Sequence, residues 1–149
     1  MAEINFFSEE IDFVLKQKSV SRAWLSAAAK SEGFRIGDLN FIFCTDDYLL
    51  AINREYLQHD TYTDIITFDN SESEDTLAGD IFISIDRIRD NAKRFGVPEW
   101  DELHRVMIHG VLHLCGYDDH EPEDKQLMTE KEDFYLAVRG AELLKANPR

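Results

Sequence analysis

The run Ile108-His109-Gly110-Val111-Leu112-His113-Leu114-Cys115-Gly116-Tyr117-Asp118-Asp119-His120 constrains this chain more than any other, because it holds three of the five histidines. His109 and His113 stand four apart inside an apolar stretch (Val106, Met107, Ile108, Val111, Leu112, Leu114). On a helix, both imidazoles then leave the same face one turn apart, where they can share a metal ion. Gly116 stops that helix, since a glycine accepts the left-handed turn that swings the chain back, so that Asp119 or His120 can supply a third ligand. Three protein ligands leave a fourth position open, which separates a catalytic zinc site from a closed structural one. The histidine pair alone also suits two partly buried rings bonded to carbonyls. The helix stop, with an Asp and a His just beyond it, favours the metal reading. Gly110 occupies the position where a zinc peptidase carries its general-base Glu, which argues against peptide hydrolysis.

At 149 residues the chain is expected to form one domain, long enough to bury a core without disulfides. Cys44 lies in a strand-like apolar run and Cys115 among apolar helix residues, so both read as reduced core thiols in a reducing compartment. Cys115 follows His113 by two residues, about 200° round a helix, and is expected to point away from a metal. No apolar run is long enough to cross a bilayer, and the N-terminal residues lack the basic start and apolar segment of a secretion signal; a cytoplasmic protein is expected. The formal net charge of -14 sits uneasily with phosphate binding, which usually shows as a basic surface. Much of the acidity, however, falls in Ser71-Glu72-Ser73-Glu74-Asp75 and Glu121-Pro122-Glu123-Asp124, runs of the kind that form solvated faces.

Hydrophobic periodicity orders the rest. Ile4 to Phe7 and Ile11 to Leu15 suggest strand near the N-terminus. A helix follows, capped by Ser19 or Ser21, with an apolar stripe of Ala23, Trp24, Ala27 and Ala28 that ends at Gly33. Leu39 to Cys44 reads as a strand, and Asp46 or Asp47 caps a helix through Tyr48, Leu49, Ile52 and Tyr56. Asp64 to Phe68 and Asp80 to Ile85 are strands joined by the acidic, Ser-rich segment. Asp86 caps a helix over Arg87 to Arg94 closed by Gly96, and Pro98 opens the long helix that carries the histidine pair. A last helix begins at Pro122 and is expected to bury Leu127, Phe134, Val138 and Leu144 or a neighbour. The order predicts an α+β fold: a small mixed sheet of about four strands packed with about five helices, with the metal site at a helix end.

These residues together resemble the YbeY family of bacterial metal-dependent endoribonucleases, or rRNA maturation factors. The chain follows the family signature His-Gly-x-Leu-His-Leu-x-Gly-Tyr-Asp-His from His109 through Asp118, with Val111 and Cys115 in the free positions. Upstream, Asn53-x-x-Tyr56 and Asp60-x-x-Thr63-Asp64-Ile65-Ile66-Thr67-Phe68 are similar to the family block Asn-x-x-Tyr-Arg-x-x-Asp-x-x-Thr-Asp-Val-Leu-Ser-Phe, and Gly79-Asp80-Ile81 is similar to its Gly-Asp-Ile strand. The likeness spans roughly Asn53 to Met128, about half the chain, in matching order and spacing. Two positions depart from it. Leu57 stands where the family carries an Arg tied to RNA binding or catalysis, with Gln58 and His59 as nearby replacements. Asp119 stands where the family has its third histidine ligand. Ungapped register on both sides and the spacing i, i+4, i+10 favour Asp119 over His120, which would need an inserted residue.

The resemblance implies a zinc-dependent endoribonuclease, with one Zn²⁺ per chain, specific for single-stranded RNA and acting in rRNA processing, 16S rRNA 3' end maturation and ribosome quality control. Its partners would be ribosomal RNA and the ribosome, not a membrane. His109, His113 and Asp119 would hold the metal. A carboxylate in place of an imidazole lowers the site's net charge by one and makes a bound water less acidic. His120 is a candidate proton carrier or phosphate donor, or else a solvated helix-start residue. Asp64 is a candidate for orienting a ligand histidine or water, with capping or strand-edge bonding as the alternative. Arg105 and Arg54 are candidate phosphate attractors, or ordinary solubilising charges. The residues alone reach metal-dependent hydrolase. A hydrolase of another substrate and a non-catalytic, ribosome-associated metal-binding protein are the alternatives.

Overall fold

The computed structural model describes residues 3–139. In chain order these form β1 (Ile4–Ser8), α1 (Lys18–Ser31), β2 (Arg35–Cys44), α2 (Asp46–Tyr56), β3 (Ile65–Asp69), β4 (Thr76–Ser84), α3 (Ile85–Phe95), α4 (Glu99–Leu114) and α5 (Pro122–Ala137). The sheet order is β1-β2-β4-β3; β1, β2 and β4 run parallel, and β3 pairs antiparallel with β4. The result is the expected α+β arrangement of a four-stranded mixed sheet with five helices. Among the described residues no helix is long and apolar enough to cross a membrane.

Alternation along the central strands decides the two faces. Leu39, Phe41 and Phe43 of β2 and Leu77, Ile81 and Ile83 of β4 point to one side, where Trp24 and Leu25 of α1 and Met107, Ile108 and Val111 of α4 cover them. Cys44 and Ile66 face the other side under Leu49 of α2, with Phe68 and Phe82 beside them. Two glycines allow close approach. A Cβ on Gly79 would lie 2.1 Å from the Phe68 carbonyl oxygen, so only glycine lets β3 pair there. A Cβ on Gly110 would meet Ile81 at 3.0 Å and Ile65 at 3.1 Å, so this face of α4 lies directly on the sheet. A side chain at position 110 would therefore point into the core, which gives a packing reason for the missing peptidase Glu.

Several local expectations change. Ile11 to Leu15 is not a strand but an irregular connection; it packs Phe13 and Leu15 on the core, leaving β1 paired with β2 alone. α1 begins at Lys18 after Gln17 at φ 56, with no side-chain cap, so Ser19 and Ser21 lie inside the helix. Its buried stripe is Ser21, Trp24, Leu25, Ala28 and Ala29, while Ala23 and Ala27 face outward. The N-caps of α2 and α3 are Thr45 and Ser84, whose hydroxyls accept from the backbone N–H groups of Tyr48 and Arg87 at 3.1 and 3.2 Å. Asp46 instead accepts from Arg87 and from the Ser84 hydroxyl, both at 2.7 Å, and Asp86 accepts from the Asp46 N–H at 3.0 Å. The carboxylates thus tie two helix starts together rather than capping their own. α5 buries Met128, Glu132 and Tyr135, whereas Leu127, Phe134 and Val138 are exposed; Leu144 lies outside the described residues. The inward face of α5 is set by polar partners, which a hydrophobic stripe does not register.

Candidate metal centre

α4 enters the site with its apolar side on the sheet and ends at Leu114, where Gly116 adopts φ 108. The Tyr117 N–H donates back to the Leu112 carbonyl at 3.1 Å and the Gly116 N–H to His113 at 3.0 Å, the left-handed stop expected of this glycine. The chain then turns toward α5, held by a clamp from α1. The Glu32 carboxylate accepts from the Tyr117 hydroxyl at 2.7 Å and Lys131 Nζ at 3.1 Å, and also from the Tyr135 hydroxyl. Burial pushes Glu32 up, but those three donors outweigh it and its pKa lies below the ordinary carboxylate value.

This path returns Asp119 to His109, with His109 Nε2 and Asp119 Oδ2 3.5 Å apart. Two ligands of a tetrahedral zinc at about 2.0–2.1 Å stand about 3.3 Å from each other, so the pair has the separation of two donors aimed at one ion. The other ring nitrogen of His109 is already engaged, with Nδ1 2.7 Å from Glu132 Oε2. A carboxylate accepts, so the proton belongs on Nδ1 and Nε2 keeps its lone pair, the usual support of a ligating histidine. The second oxygen of Glu132 accepts from Arg105 at 2.7 Å, and Arg105 also donates to Asp133 at 2.5 Å. Burial pulls the His109 pKa down; the hydrogen bond and charge of Glu132, with Asp119 and Asp64 behind it, more than reverse this and raise it.

His109, His113, Asp119, His120, Asp64, Glu102, Arg105 and Glu132 all line one cleft of about 700 Å³. His113 and His120 stand exposed on its wall. Among the described residues no three His, Cys, Asp or Glu side chains are gathered into a complete ligand set; His109 and Asp119 are the convergent pair, and His113 lies one helical turn onward. The donor chemistry, two imidazoles and a carboxylate with one imidazole braced by Glu132, fits a transition metal such as zinc. Asp64 lies just before β3, and burial raises its pKa against the lowering influence of His109. Leu57 and His59 line the cleft. Arg54 instead pairs with Asp60 at the surface, and the charge of Arg105 is taken up by Glu132 and Asp133. Asn53 is buried and clamps the connection before β3: its amide donates to the Thr61 carbonyl at 2.8 Å, and its backbone carbonyl accepts from Leu57 and His59.

Both cysteines are free, and Cys115 is absent from the cleft lining. Burial pushes each thiol up to about 12, so they are inert core groups. Sequence reasoning missed Glu132, Glu102 and Glu32. For Glu132 a signal exists in the helical spacing of Met128, Glu132 and Tyr135, a carboxylate inside a buried stripe. Glu102 is likewise buried in α4, and burial, with Asp64 nearby, raises its pKa to about 7.

A four-stranded mixed sheet with an acidic, histidine-bearing cleft at a helix end is the frame of a small α+β protein, and the family it matches is one of RNA-cleaving hydrolases. The chain belongs to the endoribonuclease YbeY family, whose model matches residues 3–140. It is 52% identical over 136 residues to Endoribonuclease YbeY of Cytophaga hutchinsonii, covering 91% of this chain and 95% of that protein. It is 51% identical over 123 residues to Endoribonuclease YbeY of Bacteroides thetaiotaomicron, covering 83% and 89%. The fold is similar to the solution structure of TM1509 from Thermotoga maritima, with a TM-score of 0.66 and 30% identity, covering 97% of this chain and 93% of that one.

Proposed function

We propose that this protein is a single-domain, zinc-dependent endoribonuclease that hydrolyses phosphodiester bonds of single-stranded RNA in the cytoplasm, with ribosomal RNA, including the 16S rRNA 3' end, as its substrate. Membership of the endoribonuclease YbeY family supports the reaction class. The observation that carries the metal assignment is the 3.5 Å approach of His109 Nε2 to Asp119 Oδ2, with Nδ1 held by Glu132. On this reading His113, one helical turn onward, would supply the third donor. A zinc ion held there would acidify water and polarise a phosphoryl group. Around it, Glu132 keeps the His109 tautomer correct and Asp64 orients groups at the β3 edge of the cleft. His120, exposed and lining the cleft, would donate to a phosphate oxygen.

Electrostatics favour a metal here. The cleft carries four carboxyl groups, Asp64, Glu102, Asp119 and Glu132, while Arg105 is engaged by Glu132 and Asp133. A phosphodiester entering such a cleft needs added positive charge. The deciding experiment is metal analysis of the purified protein alongside cleavage of rRNA fragments with and without chelator. About one zinc per chain and chelator-sensitive cleavage are expected. Full RNA cleavage by metal-free protein, or chelator-sensitive peptide hydrolysis with no RNA cleavage, would overturn the proposal.

A further inference from the structure

Strand β3 lies at one edge of the sheet, and among the described residues it pairs with β4 alone. Hydrogen bonds at the two ends of that ladder fix which way its main chain faces. The Ser84 N–H donates to the Asp64 carbonyl at 3.0 Å and the Asn70 N–H to the Ala78 carbonyl at 2.8 Å. In an antiparallel pair such bonds fall on every second residue, so Asp64, Ile66, Phe68 and Asn70 turn their main-chain groups to β4. Ile65, Thr67 and Asp69 turn theirs to the open edge. Ile65 and Thr67 are half-buried and line the cleft that holds His109 and Asp119, whereas Asp69 does not line it. The Ile65 carbonyl and the Thr67 N–H, an acceptor beside a donor, thus face the cleft, and among the described residues neither bonds to another element.

The charge of the cleft decides what such a pair can hold. Arg105 is the one Lys or Arg among its lining residues, and Glu132 and Asp133 engage it. The protein therefore offers a phosphate chain no free cation there, but it does offer a neutral acceptor and donor. The Watson–Crick edge of every RNA base carries a donor and an acceptor on adjoining atoms, as in the N3–H and carbonyl oxygens of uracil. A polypeptide strand would need a longer template than two outward residues, whereas one base needs one carbonyl and one N–H. On the endoribonuclease reading of the cleft, we infer that the open edge of β3 binds an unpaired base of the RNA strand. The Thr67 N–H donates to a carbonyl oxygen or ring nitrogen of the base, and the Ile65 carbonyl accepts from its adjoining N–H or amino group. A base held this way has its pairing edge occupied, so a duplex is refused. The contact selects single strands without selecting a sequence.

The test uses zinc-loaded protein and short oligouridine. Proline is tolerated on an edge strand where the missing N–H faces away from the ladder, so Thr67→Pro removes the donor and leaves β3 paired with β4. KM for oligouridine should rise about tenfold or more, with kcat within about threefold of wild type, and zinc content should be unchanged. Asp69→Pro, the same change at the next outward residue but outside the cleft, should leave KM within about twofold. On wild-type protein, oligo(3-methyluridine), whose methyl covers the ring N–H without adding charge, should show a similar rise in KM. Oligo(5-methyluridine), methylated away from that edge, should not. Thr67→Pro should no longer tell the two methylated RNAs apart, because both changes break one contact. If Thr67→Pro does not fold, the methylated RNAs on wild-type protein decide. Equal KM for those two RNAs, equal losses in the two proline variants, or wild-type KM in Thr67→Pro would overturn the role of the β3 edge alone and leave that edge to an extended peptide. Wild-type protein that cleaves mixed-sequence RNA but not oligouridine would overturn it as well. A wild-type protein that cleaves no RNA would overturn the endoribonuclease reading and this role with it.

Discussion

Replacing Glu132 separates the support of the proposed metal centre from its proposed ligands. Its side chain is 9% exposed and accepts from Arg105 and His109, each at 2.7 Å. Charge-assisted bonds of this kind contribute about 1.5–3 kcal/mol each, and removing one partner of a buried pair costs about 3–5 kcal/mol. Arg105 keeps Asp133 and is one-third exposed, so Glu132→Ala belongs at the low end, about 3 kcal/mol. For a chain of this size that is a fall of roughly 6–12 °C in melting temperature. Glu132→Gln is the sharper probe. Arg105 can only donate, so it takes the amide oxygen, and the amide NH₂ then faces Nδ1 of His109. Nδ1 must now accept, which moves the ring proton to Nε2, the nitrogen 3.5 Å from Asp119. Zinc affinity should fall about 10- to 100-fold, or about 1.4–2.7 kcal/mol, with a smaller stability loss than in the alanine variant. Competition against a chromophoric chelator, paired with thermal melts of metal-free protein, measures both quantities. A glutamine variant that binds zinc within twofold of wild type would refute the tautomer argument.

The neighbouring acidic and basic residues beyond Gly116 separate in the same assay. Asp119→Ala should weaken zinc at least about tenfold, His120→Ala should leave affinity nearly intact, and Asp119→His should bind zinc and lower the pKa of its water; the reverse pattern for the two alanine variants would make His120 the ligand. Burial, then the charge of Arg139, holds the His104 pKa at about 4 against an ordinary 6.5. The unfolded ring therefore takes up a proton that the folded one refuses, and stability falls as pH drops from about 6.5 toward 4. His104→Gln, which keeps an acceptor for Arg139, should flatten that slope in melts of metal-free protein; an unchanged slope excludes the assignment. Gly79→Ala forces a Cβ to 2.1 Å from a backbone oxygen, whereas Gly110→Ala meets isoleucine methyl groups, of Ile81 at 3.0 Å and Ile65 at 3.1 Å. Urea titration should show a loss of about 4 kcal/mol or more for the first and about 1–3 for the second, and equal losses would contradict the packing described.

Elements with a strong local period were legible from residue order. The helix carrying His109 and His113, its left-handed stop at Gly116, the alternating strands and the Gly96 cap all follow from interactions within a few residues of one another. Caps were misread where two good candidates adjoined, as at Thr45 and Asp46, because the choice depended on Arg87 arriving from another helix. The α5 stripe was misread because its buried face answers to charges: Glu132 turns inward to Arg105 and His109, and Tyr135 to Glu32.

The same division holds in the cleft. The type and spacing of the candidate ligands along α4 were set by the sequence itself, since a helix converts a separation of four residues into a shared face without help from the rest of the chain. The approach of Asp119 to His109 needed more: a loop held by Glu32, 85 residues before Tyr117. The brace on Nδ1 came from Glu132, 23 residues after His109. Glu102 acquired its raised carboxyl pKa only when folding buried it and brought Asp64, from another element, near it. Hydrogen bonds and Coulomb interactions act over a few ångströms of space. Their partners along the chain are therefore decided by where the sheet and helices bring it back, and by nothing in local periodicity.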